Sequence, residues 1–107
     1  AEKKQLPTII FDEIDTGVSG EIAHKVGNIL MRLSENHQLI AITHLPQIAA
    51  KGQHHLFVYK STDAASTSTN IKLLNKTERL NEIAKMLSGE NPTKAAIQNA
   101  KELLLQA

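Results

Sequence analysis

Read from the amino terminus, the first apolar run, Pro7-Thr8-Ile9-Ile10-Phe11, stops abruptly at Asp12-Glu13. A short continuous run of this kind is the pattern of a strand covered on both faces in a parallel sheet. A turn-like stretch, Asp15-Thr16-Gly17-Val18-Ser19-Gly20, follows, with Ser19 placed to cap a helix and Glu21 in its first turn, where negative charge suits the dipole. Ile22, Val26, Ile29, Leu30 and Leu33 then fall on one helical face, which predicts a helix over 19–35. A second buried run, Leu39-Ile40-Ala41-Ile42, ends at Thr43-His44. Strand, helix, strand predicts a right-handed parallel crossover. Both strands would then finish at one edge of the sheet, bringing Asp12-Glu13 next to Thr43-His44, at the edge where open α/β sheets bind ligands.

Beyond Pro46 the pattern predicts a short helical turn over 47–50 and a third strand at Leu56-Phe57-Val58-Tyr59. The small polar tract from Ser61 to Ser68, with Ile71 and Leu73 alternating after it, reads as a hairpin with a mobile tip. Thr77 is placed to cap a helix whose apolar face is Leu80, Ile83, Ala84 and Leu87, with Gly89 as its stop. Pro92 is placed to open a last helix that buries Ala96, Ile97, Ala100, Leu103 and Leu104. There is no internal repeat and no heptad array.

Composition narrows the class. With 107 residues the chain encloses a single core, which excludes a multidomain enzyme. An apolar fraction of 41% with 21% charged residues is ordinary globular usage, which excludes wholesale disorder. The absence of cysteine excludes thiol catalysis and thiolate metal sites within it. No secretory segment or membrane-length apolar run is present, so the expectation is a soluble cytoplasmic protein with no membrane partner. The formal net charge of +1 and scattered basic residues predict neither nucleic-acid nor membrane binding, and 3% aromatic residues leave no platform for stacking on bases.

Two groups of residues could carry chemistry. Paired acids at the exit of a buried strand gain nothing from packing, so Asp12-Glu13 is either a solvated strand end or a magnesium-and-water site. Thr43-His44 on the parallel neighbour adds an imidazole donor, and a metal carboxylate, a water-orienting carboxylate and a phosphate donor are the parts used in phosphoryl transfer. Adjacent His54-His55 would point to opposite faces of a strand and so do not chelate one ion easily; His24 and His37 read as solvated. Lys72, Lys76, Arg79 and Lys85 form at most a weak basic patch, more simply read as a solvated face. The Ser61–Ser68 tract reads as a plain hairpin tip, with a partner or DNA contact as the alternative.

Leu6-Pro7-Thr8-Ile9-Ile10-Phe11-Asp12-Glu13-Ile14-Asp15 resembles the Walker B segment of ABC-type and SMC-like ATPase heads. Thr16-Gly17-Val18-Ser19-Gly20 resembles their D-loop, and Ala41-Ile42-Thr43-His44-Leu45-Pro46-Gln47-Ile48-Ala49 their switch segment. Together with Arg79 to Gly89 and Asn99 to Leu104, the set is most similar to the bacterial DNA-repair members of the SMC-like group. The resemblance implies an α/β fold: a partial P-loop NTPase sheet of the ABC/SMC-head type, with parallel strands, a hairpin and flanking helices. It implies Asp12 as the magnesium carboxylate, acting through water, Glu13 as the residue that orients or deprotonates attacking water, and His44 as a contact to the γ-phosphate. Thr16, Gly17, Val18 and Ser19 would line the interface across which two heads sandwich ATP, although Ser19 stands where transporter D-loops carry aspartate.

No Gly-rich Gly-Lys-Ser/Thr loop and no Leu-Ser-Gly-Gly signature occur, Leu87-Ser88-Gly89 being followed by Glu90. Residues 1–107 therefore read as a single C-terminal lobe of such a head. The implied function is that of part of an ATP-hydrolysing SMC-like protein in DNA double-strand break repair and recombination, with ATP and Mg2+ as cofactors of the complete protein. Its implied partners are the remainder of its own head, a second head and, through the complete protein, DNA, which would place it at the nucleoid. Alone, the chain is expected to turn over no ATP and to self-associate. The competing reading is a noncatalytic regulatory or assembly module on the same scaffold.

Overall fold

The computed structural model describes residues 7–12 and 20–106. Strands β1 (Thr8–Asp12) and β2 (Gln38–Ile42) pair in parallel, with Thr8 opposite Gln38 and Asp12 opposite Ile42, and helix α1 (Gly20–Leu33) connects them. This is the unit that the two apolar runs and the intervening amphipathic stretch predict. Gly20 has φ of 55°, the left-handed region that a residue without Cβ enters at little cost. The proposed cap, Ser19, lies outside the described residues. At the far end of α1, His37 is half-buried and its Nδ1 donates to the Leu33 carbonyl at 3.2 Å, closing the helix rather than pointing into solvent as expected.

The contact face of α1 differs from the predicted one. Ala23 and Gly27 are buried, whereas Ile22 and Ile29 remain 61% and 50% exposed. The reason is close approach. Helix α2 (Pro46–Ala49) passes so near that a Cβ on Gly27 would sit 3.0 Å from Lys51 Cγ and 3.3 Å from the Gln47 carbonyl oxygen. Small residues select the interhelical contact, and the aliphatic stripe beside them is left uncovered by the described residues.

Strands β3 (Leu56–Thr62) and β4 (Thr67–Leu73) form an antiparallel hairpin with Leu56 opposite Leu73 and Thr62 opposite Thr67. Much of the tract read as a loop is therefore strand. Its hydroxyls face one another across the ladder, Ser61 to Ser68 at 3.2 Å and Thr62 to Thr67 at 3.3 Å. Only 63–66 form the turn, where Asp63 Oδ1 accepts from the backbone amides of Ala65 and Ser66, both at 2.9 Å. These two donors hold the Asp63 carboxyl below its ordinary pKa.

Helix α3 (Lys76–Ser88) starts one turn feature earlier than Thr77 suggests. Asn75 is the cap: its side chain accepts from the Glu78 amide at 2.8 Å while Glu78 accepts from the Asn75 amide at 3.1 Å, a reciprocal capping box. Gly89, with φ of 102°, ends α3 as expected. Helix α4 (Lys94–Leu105) is capped by Thr93, whose Oγ1 accepts from the Ala96 amide at 3.0 Å, so Pro92 precedes the cap instead of opening the helix.

The core lies in the helical layer: Ala50, Ile83, Ala84, Ala96 and Ala100 are buried, and Leu80, Leu87, Ile97, Leu103 and Leu104 pack around them. The apolar faces predicted for α3 and α4 are the ones used. The strands differ from expectation, because they are not covered on both faces: Ile10 is 62% and Ile71 68% exposed, and Ile40, Ile42, Leu56, Val58 and Leu73 are exposed as well. Among the described residues, two separate two-stranded sheets, with a core confined to the helices, supply no second layer for these side chains. The radius of gyration, 15.5 Å, accordingly exceeds the roughly 13 Å of a compact domain of this length.

Candidate functional site at the carboxyl edge of the parallel strands

Asp12 is the last residue of β1, exposed, and directly opposite Ile42, the last residue of β2. Neighbouring strands lie about 4.8 Å apart, so Asp12 and the Thr43-His44 segment share one edge although 30 positions separate each pair of partners in the register. The structure thus brings together two of the segments that the sequence singles out. Glu13 and the stretch Thr16, Gly17, Val18 and Ser19 lie outside the described residues. Asp12 supplies a hard oxygen donor at a solvent-accessible edge, and among the described residues no group of three or more His, Asp or Glu side chains could hold a metal ion. A single carboxylate with water and phosphate oxygens completing the shell is how Mg2+ is commonly held, so this donor fits the ion.

The segment after β2 is built tightly. Thr43, half-buried, accepts from the Leu45 amide at 3.0 Å through Oγ1, turning the chain away from the strand while His44 remains exposed. Pro46 begins α2, where its missing N–H costs nothing, and Ile48 is 4% exposed. The carboxyl end of α2 is closed by a side chain from another element. Arg79 of α3 donates through one terminal nitrogen to the carbonyls of Ala49 and Ala50, each at 3.1 Å, and of Gly52. Lys51, buried, runs its stem under α1 at Gly27 and donates from Nζ to the Gln106 carbonyl at 3.4 Å, at the end of α4.

Arg79 corrects the reading of a basic solvated face. Lys72 is paired with Glu78, and Lys85 with Glu82 and Glu90, while Arg79 is turned inward among carbonyls. The hydrogen bond to Lys72 lowers the pKa of Glu78 and the same bond raises that of Lys72. The signal for Arg79 is its spacing: it precedes Ile83 by one i, i+4 step and so shares the buried stripe of α3. No comparable signal marks Lys51 within Ala49-Ala50-Lys51-Gly52. His55, next to exposed His54, is half-buried with Nδ1 lacking a partner among the described residues. Burial is the largest cause of its lowered pKa, the Arg79 cation adds to it, and Glu82 opposes it.

Among the described residues no helix is long and apolar enough to cross a membrane. No family model matches the chain. Among solved structures it is similar to a chain described under "Structural biochemistry of ATP-driven dimerization and DNA stimulated activation of SMC ATPases", with a TM-score of 0.62 over 82% of this chain and 52% of that one. At 17% sequence identity this is a likeness of fold: an α/β arrangement with a parallel pair, a hairpin and helices, as in an SMC ATPase head. Among curated proteins, the DNA repair protein RecN of Vibrio cholerae is 45% identical over 107 residues, 100% of this chain. RecN of Rickettsia conorii is 48% identical over 103 residues, and RecN of Deinococcus radiodurans 45% identical over 98. The chain spans only 19% of the length of the Vibrio and Rickettsia proteins and 17% of the Deinococcus protein. Similarity to these proteins over 92 to 100% of this chain agrees with the SMC-head fold of its described residues, and the chain belongs to the RecN family, of whose members it spans about a fifth.

Proposed function

We propose that residues 1–107 are the lobe of an SMC-like ATPase head that carries Walker B, the D-loop and the switch histidine, in a protein that repairs DNA double-strand breaks. The observation that carries this reading is the shared edge of Asp12 and the Thr43-His44 segment, set by the parallel register. Asp12 would hold Mg2+ through water, His44 would donate to the γ-phosphate, and Glu13 would orient the attacking water and accept its proton. Mg2+, when bound, would neutralise charge developing on the phosphate oxygens. Thr16, Gly17, Val18 and Ser19 would line the contact with a second head. Phosphate-cradling backbone amides and their lysine would come from the remainder of the head, and DNA would be bound by the complete protein.

Three variants of the complete protein test the roles. Glu13→Gln keeps size and hydrogen bonding but cannot take a proton, so Mg-nucleotide binding should persist while turnover falls by ~10²-fold or more and paired heads accumulate. Asp12→Ala should weaken magnesium capture and head pairing together. His44→Ala should fall between them, losing a phosphate contact with the metal site intact. Full turnover by Glu13→Gln, or loss of Mg-nucleotide binding as severe as in Asp12→Ala, would show the assignment to be wrong. Head pairing with no turnover in the unaltered protein would favour a noncatalytic assembly module.

A further inference from the structure

Among the described residues, helix α2 is the shortest helix and the most shared: α1, α3 and α4 all pack on it. A four-residue helix has only a short hydrogen-bonded ladder: its last carbonyls, of Ile48 and Ala49, meet the amides of Lys51 at 3.0 Å and Gly52 at 3.4 Å just beyond it, too little to fix its place alone. Its position is therefore decided from outside. Besides the Lys51 bond to Gln106, the outside group is the Arg79 guanidinium, which reaches across 27 to 30 residues of sequence to the carbonyls of Ala49, Ala50 and Gly52. One terminal nitrogen carries two hydrogens and meets three acceptors, so the bonds are shared and bind the exit of α2 as a unit. Ala50, at the centre of this grip, is 1% exposed and belongs to the core, which anchors the guanidinium's target on its other side.

The entrance of α2 is linked as tightly to the strand edge. Pro46 has a fixed φ, and the Leu45 amide is held by Thr43 Oγ1, leaving His44 inside a closed turn between β2 and α2. With so little slack in the turn, a displacement of α2 would carry His44 with it.

We propose that Arg79 is a positioning residue for His44: by gripping the exit of α2 it sets where the switch histidine stands at the carboxyl edge of the sheet. The proposal rests on the reading of His44 as a phosphate contact. A lysine is a poor replacement, since its ammonium ends one bond short of the terminal guanidinium nitrogen that makes all three bonds. A misplacement of about 1 Å at a reacting centre is enough to cost up to ~10²-fold in rate.

The test is a double-mutant cycle on ATP turnover in the complete protein. Arg79→Gln should lower kcat about tenfold with the same pattern of kcat and KM change as His44→Ala. Arg79→Gln combined with His44→Ala should lose no more than His44→Ala alone, because the arginine acts through the histidine. Arg79→Lys, which keeps the stem and the charge, should fall between Arg79→Gln and the unaltered protein. Amide exchange in 46–52 should speed up in both arginine variants, while exchange in α4 stays unchanged. Multiplicative losses in the combined variant, full turnover by Arg79→Gln, or an Arg79→Lys protein that does not fold would each overturn the proposal. If His44→Ala itself keeps full turnover, it is the reading of His44 that fails, and the cycle shows this in its first arm.

Discussion

A half-buried imidazole and a half-buried guanidinium within one neighbourhood give the chain a titrating element outside its sheet edge. His55 is pushed below 6.5 chiefly by burial and secondarily by the Arg79 cation. The folded protein thus disfavours the proton that the unfolded chain binds normally, so the contribution of His55 to stability is complete above pH 6.5 and is lost as pH falls through the depressed folded value. Urea unfolding at about pH 7.5 and about pH 5 should show this loss, and His55→Phe should make it smaller. An equal loss in the variant would assign the acid sensitivity to other groups. The placement of Asp12 and the Thr43-His44 segment at one edge was legible because polar groups ending two apolar runs stand out against the pattern. Arg79 was less so: its charge suggested solvent, and only its i, i+4 step to Ile83 pointed inward.

Helix ends illustrate why element boundaries were harder to read than the elements. Thr77 and Asn75 both suit a cap, but only Asn75 has a glutamate three residues on whose carboxylate returns to its amide. Asn75→Ala should cost about 1 kcal/mol of α3 stability, read as faster amide exchange through its first turn. An unchanged exchange rate there would mean that Glu78 and its bond to Lys72 hold the turn unaided. The hairpin ran on past its apolar residues because Ser and Thr pair as well across a ladder as they do in loops, and composition cannot separate the two. In α1 the amphipathic stripe correctly located a helix, yet the contact face was set by Gly27, where packing depends on what is absent from the side chain.

For the molecule as a whole, the helical core is small and built largely from alanine, while Ile10, Ile40, Ile42, Val58 and Ile71 remain in solvent. Apolar surface of this extent on an isolated chain should drive self-association and bind a hydrophobic dye. Sedimentation as a strict monomer at high concentration, without dye binding, would contradict that expectation. The sequence pattern announced strands covered on both faces, and the described residues leave them open instead, because runs of apolar residues report what a strand favours and not what lies against it.

The bonds that hold α2 also order events in time. A ribosome delivers His44 well before the groups that fasten its segment, since Arg79 follows Ala49 by 30 residues and Gln106 follows Lys51 by 55. Closing loops of that length costs entropy before any contact repays it. The parallel pair of strands can form early on the nascent chain, whereas the turn between β2 and α2 reaches its final place only once the last two helices have been synthesised and docked. The final placement of the turn that carries His44 is, on this account, a late acquisition of the growing polypeptide.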